Sequence, residues 1–211
     1  MNEAMVLSCM SSYEPCAVTD NDGNIFFNPP MKALMDLPKD MRLPFEVFQQ
    51  QEKLSRENRI FVTAFNQQPF GRNAITQPWL FYYFPTFDGD AEGKCNGTFC
   101  HAHPCRFIST QECVDGEAPR PATFEPDTRF TPSEREVIFF AVNGLSAKEI
   151  GQRQKISYRT VENKLQVIFN KIGAHSAREL AMYCRENGTD RYIPPSLLSL
   201  SSHVLSQGGV A

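Results

Sequence analysis

The chain has 211 residues, of which 41% are hydrophobic and 21% charged, and its formal net charge is −3. This composition is typical of a folded globular protein and excludes an intrinsically disordered chain. No run of 18 apolar residues occurs, and no basic segment followed by an apolar one opens the chain. We therefore expect no membrane span, no signal peptide and a cytoplasmic protein, whose seven cysteines are free thiols.

The first structural signal is a β-hairpin over residues 15–28. An apolar strand precedes the turn residues Asp20 to Gly23, and a second strand ends at Asn28. A short helix is predicted over 30–35. This order of strand, Asp-x-Asp-Gly-type turn, strand and helix resembles the start of a PAS domain.

The middle of the N-terminal region predicts further elements in the order that a PAS domain implies. A helix is expected over 45–56 and a strand near 60–65. Two long strands, at 79–87 and 97–107, enclose a turn over 88–94. The resemblance implies a domain that senses a ligand, binds a partner or dimerises. The abundant aromatic residues either line a ligand pocket or fill the core, and no cofactor is specified.

A cluster of cysteine and histidine residues lies within 19 positions of the chain. It comprises Cys95, Cys100, His101, His103, Cys105 and Cys113. On a strand, His101, His103 and Cys105 share one face, and thiolate and imidazole are ligands that zinc prefers. Because the spacing contains no paired Cys-x-x-Cys, we predict no metal site and keep a metal or redox sensor as an alternative. A catalytic Cys–His site has less support, since nothing supplies an orienting group.

A proline-containing stretch separates two parts of opposite charge. Residues 115–127 contain three prolines and little apolar periodicity, and they predict a linker over 115–128 between domains at 1–114 and 129–190. Residues 129–190 hold ten Lys/Arg and seven Asp/Glu, against 11 and 17 in the rest of the chain. The excess of basic residues favours a polyanionic partner.

Four capped helices are predicted after the linker, at about 132–143, 147–154, 158–172 and 177–187. The capping-box pattern, Ser or Thr followed three residues later by Glu, begins three of them, at Thr131, Ser146 and Ser176. Ser157 is expected to cap the third helix of this set. Gly144, Gly173 and Gly188 stand where helices commonly end.

The second and third of these helices are joined by so few residues that they must cross steeply, which is the helix-turn-helix geometry. The polar side of the third helix carries residue types that contact base edges, with lysines placed to contact phosphates. The predicted DNA-binding residues are Lys148, Lys155, Ser157, Arg159, Thr160, Glu162, Asn163, Lys164, Gln166 and Asn170.

These segments resemble the LuxR-type helix-turn-helix. The match lies in Phe130 to Ile138, Gly144 to Gly151, Ile156 to Val161 and Lys171 to Gly173. The resemblance implies a four-helix module that binds DNA as a dimer, with its third helix in the major groove and Glu162, Asn163 and Gln166 at the base-contacting positions. Two residues depart from the pattern: Lys164 stands where histidine is usual, and Glu162 where lysine is common.

The tail over 191–211 predicts a short helix at 196–205 and a frayed end. Together the elements predict an α+β chain: a PAS-like antiparallel sheet with flanking helices, then an all-α four-helix domain. The expected function is sequence-specific transcription regulation, as an activator and not an enzyme. The expected partners are double-stranded DNA, a second copy of the chain and RNA polymerase. A protein-interaction module that no longer binds DNA is a further alternative, which the acidic Glu162 suggests.

Overall fold

The computed structural model describes residues 3–38, 45–89, 93–105, 114, 116 and 122–209. For residues 207–209 it describes the backbone alone. It forms two compact units, Met1–Cys105 with Leu198–Ala211, and Arg106–Leu197. Residues 115 and 117–121 of the predicted linker, together with Cys113, lie outside the described residues. Within the described ranges, no helix is both long and apolar enough to cross a bilayer.

The N-terminal unit is built on a six-stranded antiparallel sheet with the order β2-β1-β5-β4-β3-β6. Its strands are β1 (Cys16–Asp20), β2 (Ile25–Phe27), β3 (Ile60–Phe70), β4 (Ile75–Phe87), β5 (Cys95–Pro104) and β6 (Ser201–Gly209). Its helices are α1 (Glu3–Met10), α2 (Pro29–Met35) and α3 (Phe45–Asn58).

The predicted hairpin and the helix that follows it are confirmed, and two side chains explain their geometry. The carboxylate of Asp20 accepts hydrogen bonds from the backbone N–H groups of Asp22 and Asn24, which fixes the turn between β1 and β2. Asn28, fully buried, caps α2 by accepting from the N–H of Met31. Its amide also donates to the carbonyl oxygens of Cys9 and Glu14.

The core of this unit lies between the sheet and helices α2 and α3. Its large buried side chains include Met31, Phe48, Val62, Phe70 and Phe81. Val62 and Phe70 of β3 and Phe81 of β4 lie on one face of the sheet, since side chains alternate along a strand, and Met31 of α2 and Phe48 of α3 cover that face.

A buried polar network also holds α3 on the sheet. Gln51 and the fully buried Asn66 exchange amide hydrogen bonds of 2.8 and 3.1 Å, and the Tyr83 hydroxyl donates to Gln51 Oε1. Each of these three side chains therefore has a partner inside the core, as buried polar groups require.

The end of the chain differs from its predicted structure. Residues 201–209 form β6, which pairs antiparallel with β3, so the predicted helix over 196–205 is wrong. A 3₁₀ turn occupies only Pro195–Leu197. The strand forms because β3 would otherwise offer an unpaired row of N–H and C=O groups at the sheet edge. Gln67 and Gln68 extend this pairing by donating side-chain hydrogen bonds to the carbonyl oxygens of Ser199 and Ser201.

The C-terminal unit contains the four predicted helices with almost the predicted bounds. They are α4 (Pro132–Val142), α5 (Ala147–Gln154), α6 (Tyr158–Ile172) and α7 (Ala177–Asn187). Both hydrogen bonds of the predicted capping box are present at Thr131 and at Ser146, and Ser157 caps α6 as predicted. At Ser176 the box is incomplete, because the Glu179 carboxylate accepts from the N–H of His175 rather than from that of Ser176. The predicted α+β fold class is confirmed.

Candidate nucleic-acid interface

The turn between α5 and α6 fixes how these two helices cross. Lys155 follows the last residue of α5 and caps the helix in the left-handed conformation, with φ of 56°. Two residues later Ser157 begins α6 by accepting a hydrogen bond from the N–H of Thr160. Gly151 permits this tight passage, since a Cβ there would lie 2.8 Å from the carbonyl oxygen of Ile156. The crossing is therefore set by backbone contact and by caps at both sides.

One apolar side of α6 anchors it in the core of the C-terminal unit. Val161 and Ile168 are fully buried, and Leu165 and Ile172 are partly buried beside them. They pack in the same core cluster as the fully buried Ile150 of α5. The opposite side of α6 is consequently held in a fixed orientation.

That opposite side is exposed and largely polar. Its exposed residues are Arg159, Thr160, Glu162, Asn163, Gln166, Val167 and Asn170. The Gln166 amide donates a 3.1 Å hydrogen bond to Asn170 Oδ1, one turn further along the helix. All of the predicted base-contacting side chains thus lie on a surface accessible to a duplex.

The predicted phosphate-contacting lysines have different surroundings. Lys148 and Lys155 are exposed, on α5 and at its end. Lys164 is half-buried at the flank of α6, and its ammonium donates a hydrogen bond to Ser133 of α4. Glu162 is exposed on the other flank, where a carboxylate would repel a nearby phosphate.

The cysteine–histidine cluster does not assemble into a metal centre in the described residues, where no group of three or more His, Cys, Asp or Glu is placed to hold an ion. His101 Nδ1 and His103 Nε2 instead lie 2.8 Å apart, at hydrogen-bonding distance. Burial, and then the neighbouring His103, lower the pKa of His101. Burial also raises the pKa of the Cys105 thiol, which disfavours the thiolate that metals bind.

Comparison with known proteins agrees with this geometry. Residues 128–184, which include all of α4, α5 and α6 and most of α7, match the family of bacterial regulatory proteins named luxR. Residues 128–184 are a LuxR-family helix-turn-helix domain. Within the LuxR-type domain, 49 residues are 51% identical to the transcriptional activator protein BjaR1 of Bradyrhizobium diazoefficiens. This match covers 23% of the chain and only 20% of BjaR1.

Solved structures extend the likeness to the fold of both units. VqmA of Vibrio cholerae, in a complex with ligand and DNA, is 21% identical to this chain, and the match covers 100% of this chain and 99% of that VqmA chain. Its TM-score is 0.60. The phage VqmA–DPO complex is also 21% identical, and the match covers 97% of this chain and 95% of the phage protein. Its TM-score is 0.56. The chain thus has a PAS-like N-terminal unit and a LuxR-type domain.

The N-terminal unit contains a cavity of about 240 Å³ whose lining the sequence did not identify. Its apolar walls include Phe27, Phe48 and Phe81, and its polar groups include Tyr83 and Arg56. The spacing of residues in the sequence could not reveal this cavity, because its lining comes from six separate elements: β1, β2, α2, α3, β4 and β5. The aromatic excess was its one signal in the sequence.

Proposed function

We propose that this protein is a sequence-specific DNA-binding transcription regulator whose LuxR-type domain inserts α6 into the major groove. The observation that carries the proposal is the exposed polar side of α6, held by a buried apolar side and by a capped turn from α5. A major groove about 12 Å wide admits one α-helix with its side chains.

The proposed contacts follow from the chemistry of each side chain. Asn163 and Gln166 contact adenine, Glu162 accepts from the amino group of cytosine, and Arg159 contacts guanine or phosphate. Six further residues contact the sugar–phosphate backbone of the DNA or the edge of its major groove. They are Lys148, Lys155, Ser157, Thr160, Lys164 and Asn170. The lysines supply affinity for any sequence, and the amides supply base preference.

A small ligand in the N-terminal cavity is the proposed source of control. Relatives of this fold are described as VqmA–DPO and VqmA–ligand–DNA complexes, so the fold accommodates both a ligand and DNA in those proteins. A cavity of about 240 Å³ with aromatic walls and a few polar groups favours a compact, mostly apolar molecule.

The remaining assignments follow from the resemblance. We propose a homodimer on a two-fold-related operator, in the cytoplasm, which activates transcription by contacting RNA polymerase. BjaR1, which resembles the LuxR-type domain, is named a transcriptional activator. Two-fold symmetry of the protein implies half-sites about one helical turn, or a multiple of it, apart.

Selection of duplexes from a random DNA pool by the full-length protein tests this proposal. The selected duplex is then titrated with Asn163→Ala and Lys164→Ala variants at several salt concentrations. Asn163→Ala should relax preference at one base pair by about 1–3 kcal/mol. Lys164→Ala should weaken binding to every sequence and reduce the salt slope by about 1. Lys32→Ala, an exposed lysine on α2, is the matched control.

Failure of the folded protein to enrich any sequence would contradict DNA binding and favour the protein-interaction alternative. Unchanged binding by both α6 variants would contradict the proposed docking, even if a duplex were selected.

A further inference from the structure

Val167 is an apolar residue in the middle of the exposed side of α6. Its side chain is 47% exposed, although Val161 and Ile168 on the same helix are fully buried. At 3.6 residues per turn, Val167 lies one turn after Asn163 and about 40° around the helix axis from it. It therefore shares the surface of the proposed base-contacting amides.

Packing within the C-terminal unit does not account for this residue. The residues of α6 that pack in the core of the C-terminal unit are Val161, Leu165, Ile168, Phe169 and Ile172. A β-branched valine is also a weaker helix former than its neighbour Gln166. Single exposed apolar residues are ordinary on a protein surface, so the distinguishing observation is the position of Val167 among side chains that hydrogen-bond to bases.

We propose that Val167 determines specificity by packing on the C5-methyl group of a thymine in the major groove. This assignment rests on the proposed docking of α6. The thymine methyl is the apolar group that base pairs present in that groove, and aliphatic side chains recognise it. Asn163 and Gln166 have the chemistry that contacts adenine, whose paired base is thymine. In one A·T pair, the adenine can hydrogen-bond to an amide side chain of α6, and the thymine methyl can pack on the neighbouring Val167.

Deoxyuridine substitution isolates this contact, because it removes the methyl group and leaves base pairing unchanged. The probe is the duplex selected from a random pool by the full-length protein, with each thymine replaced in turn. The wild-type protein should lose about fourfold in affinity at one thymine of each half-site, the factor expected when one methyl-sized group is no longer removed from water.

Val167→Ala is the decisive variant, and it should fold because alanine is the stronger helix former. It should bind the thymine duplex about fourfold more weakly per half-site than wild type, and should lose no further affinity at that position with uracil. Met182→Ala, which alters another exposed apolar residue on α7, should keep the full sensitivity to uracil.

Indifference of the wild-type protein to every uracil substitution would overturn the assignment while leaving DNA binding intact. Equal losses from uracil in wild type and Val167→Ala would also overturn it. So would a change of oligomeric state in Val167→Ala, which would assign the residue to a protein interface. If no duplex is selected, the proposed function itself fails, and this assignment fails with it.

Discussion

Lys171 Nζ lies 2.7 Å from Glu134 Oε2, and the same carboxylate oxygen accepts the N–H of Thr131 at the start of α4. One buried carboxylate therefore closes a helix cap and joins the beginning of α4 to the last turn of α6. Burial opposes its ionisation, but hydrogen bonds from Lys171 and Thr131 outweigh it and lower the pKa of Glu134.

Replacing Glu134 by glutamine is expected to lower the free energy of unfolding by about 1–2 kcal/mol at pH 7, since the ion pair is lost and the cap is weakened. A carboxylate whose pKa is lowered by folding stabilises the folded state at pH above its unfolded value, 4.5, and this contribution is lost as the pH falls through the folded pKa. Urea unfolding of wild type and Glu134→Gln should therefore give converging stabilities below about pH 4.

Glu186→Gln, at an exposed position of α7, is the control and should change stability by less than about 0.5 kcal/mol. A difference between Glu134→Gln and wild type that is as large in acid as at pH 7 would contradict an ionised Glu134.

Gly151→Ala tests the passage from α5 to α6. The added Cβ would lie 2.8 Å from Ile156 O and 3.3 Å from Tyr158 N, so the turn must move. We expect a loss of about 1–3 kcal/mol in stability, as for other overpacked sites, together with weaker DNA binding. Thermal unfolding and titration of a selected duplex measure the two effects. Gln152→Ala, exposed on the same helix, should leave both unchanged.

The buried network on α3 predicts an order of two substitutions. Tyr83→Phe removes one donor to Gln51 Oε1, which keeps its bond from Asn66, so the cost should be about 1 kcal/mol. Gln51→Leu leaves the fully buried Asn66 amide without that partner and should cost about 2–3 kcal/mol. Denaturant unfolding would refute the network if Tyr83→Phe were the more damaging change.

Strand β6 should stabilise the N-terminal unit by protecting the edge of β3. Val204 pairs with Ala64 in the middle of β6, and proline, which cannot donate to a ladder and has a fixed φ, disfavours a paired strand. Val204→Pro is expected to lower the melting temperature and to promote aggregation through the exposed edge. Val204→Thr, which keeps a β-branched side chain, should behave like wild type in thermal melts and light scattering. Equal stability of the two variants would show that β6 contributes nothing.

Local sequence signals predicted the C-terminal helices well and the chain end poorly. Thr131, Ser146 and Ser157 cap helices through contacts three residues away, so their effect is visible in a short window. Strand β6 forms against β3, more than 130 residues earlier in the sequence, and no local pattern encodes that pairing. The same reason explains why the polar side of α6 was predictable, whereas the cavity of the N-terminal unit was not.

The most direct test of major-groove docking replaces each purine of the selected duplex in turn by its 7-deaza analogue, which removes the N7 acceptor in that groove alone. We predict that the full-length protein loses affinity at particular purines in two half-sites, and that Asn163→Ala no longer loses affinity at one of those purines in each half-site. Binding that is indifferent to every 7-deaza substitution would contradict the insertion of α6 into the major groove.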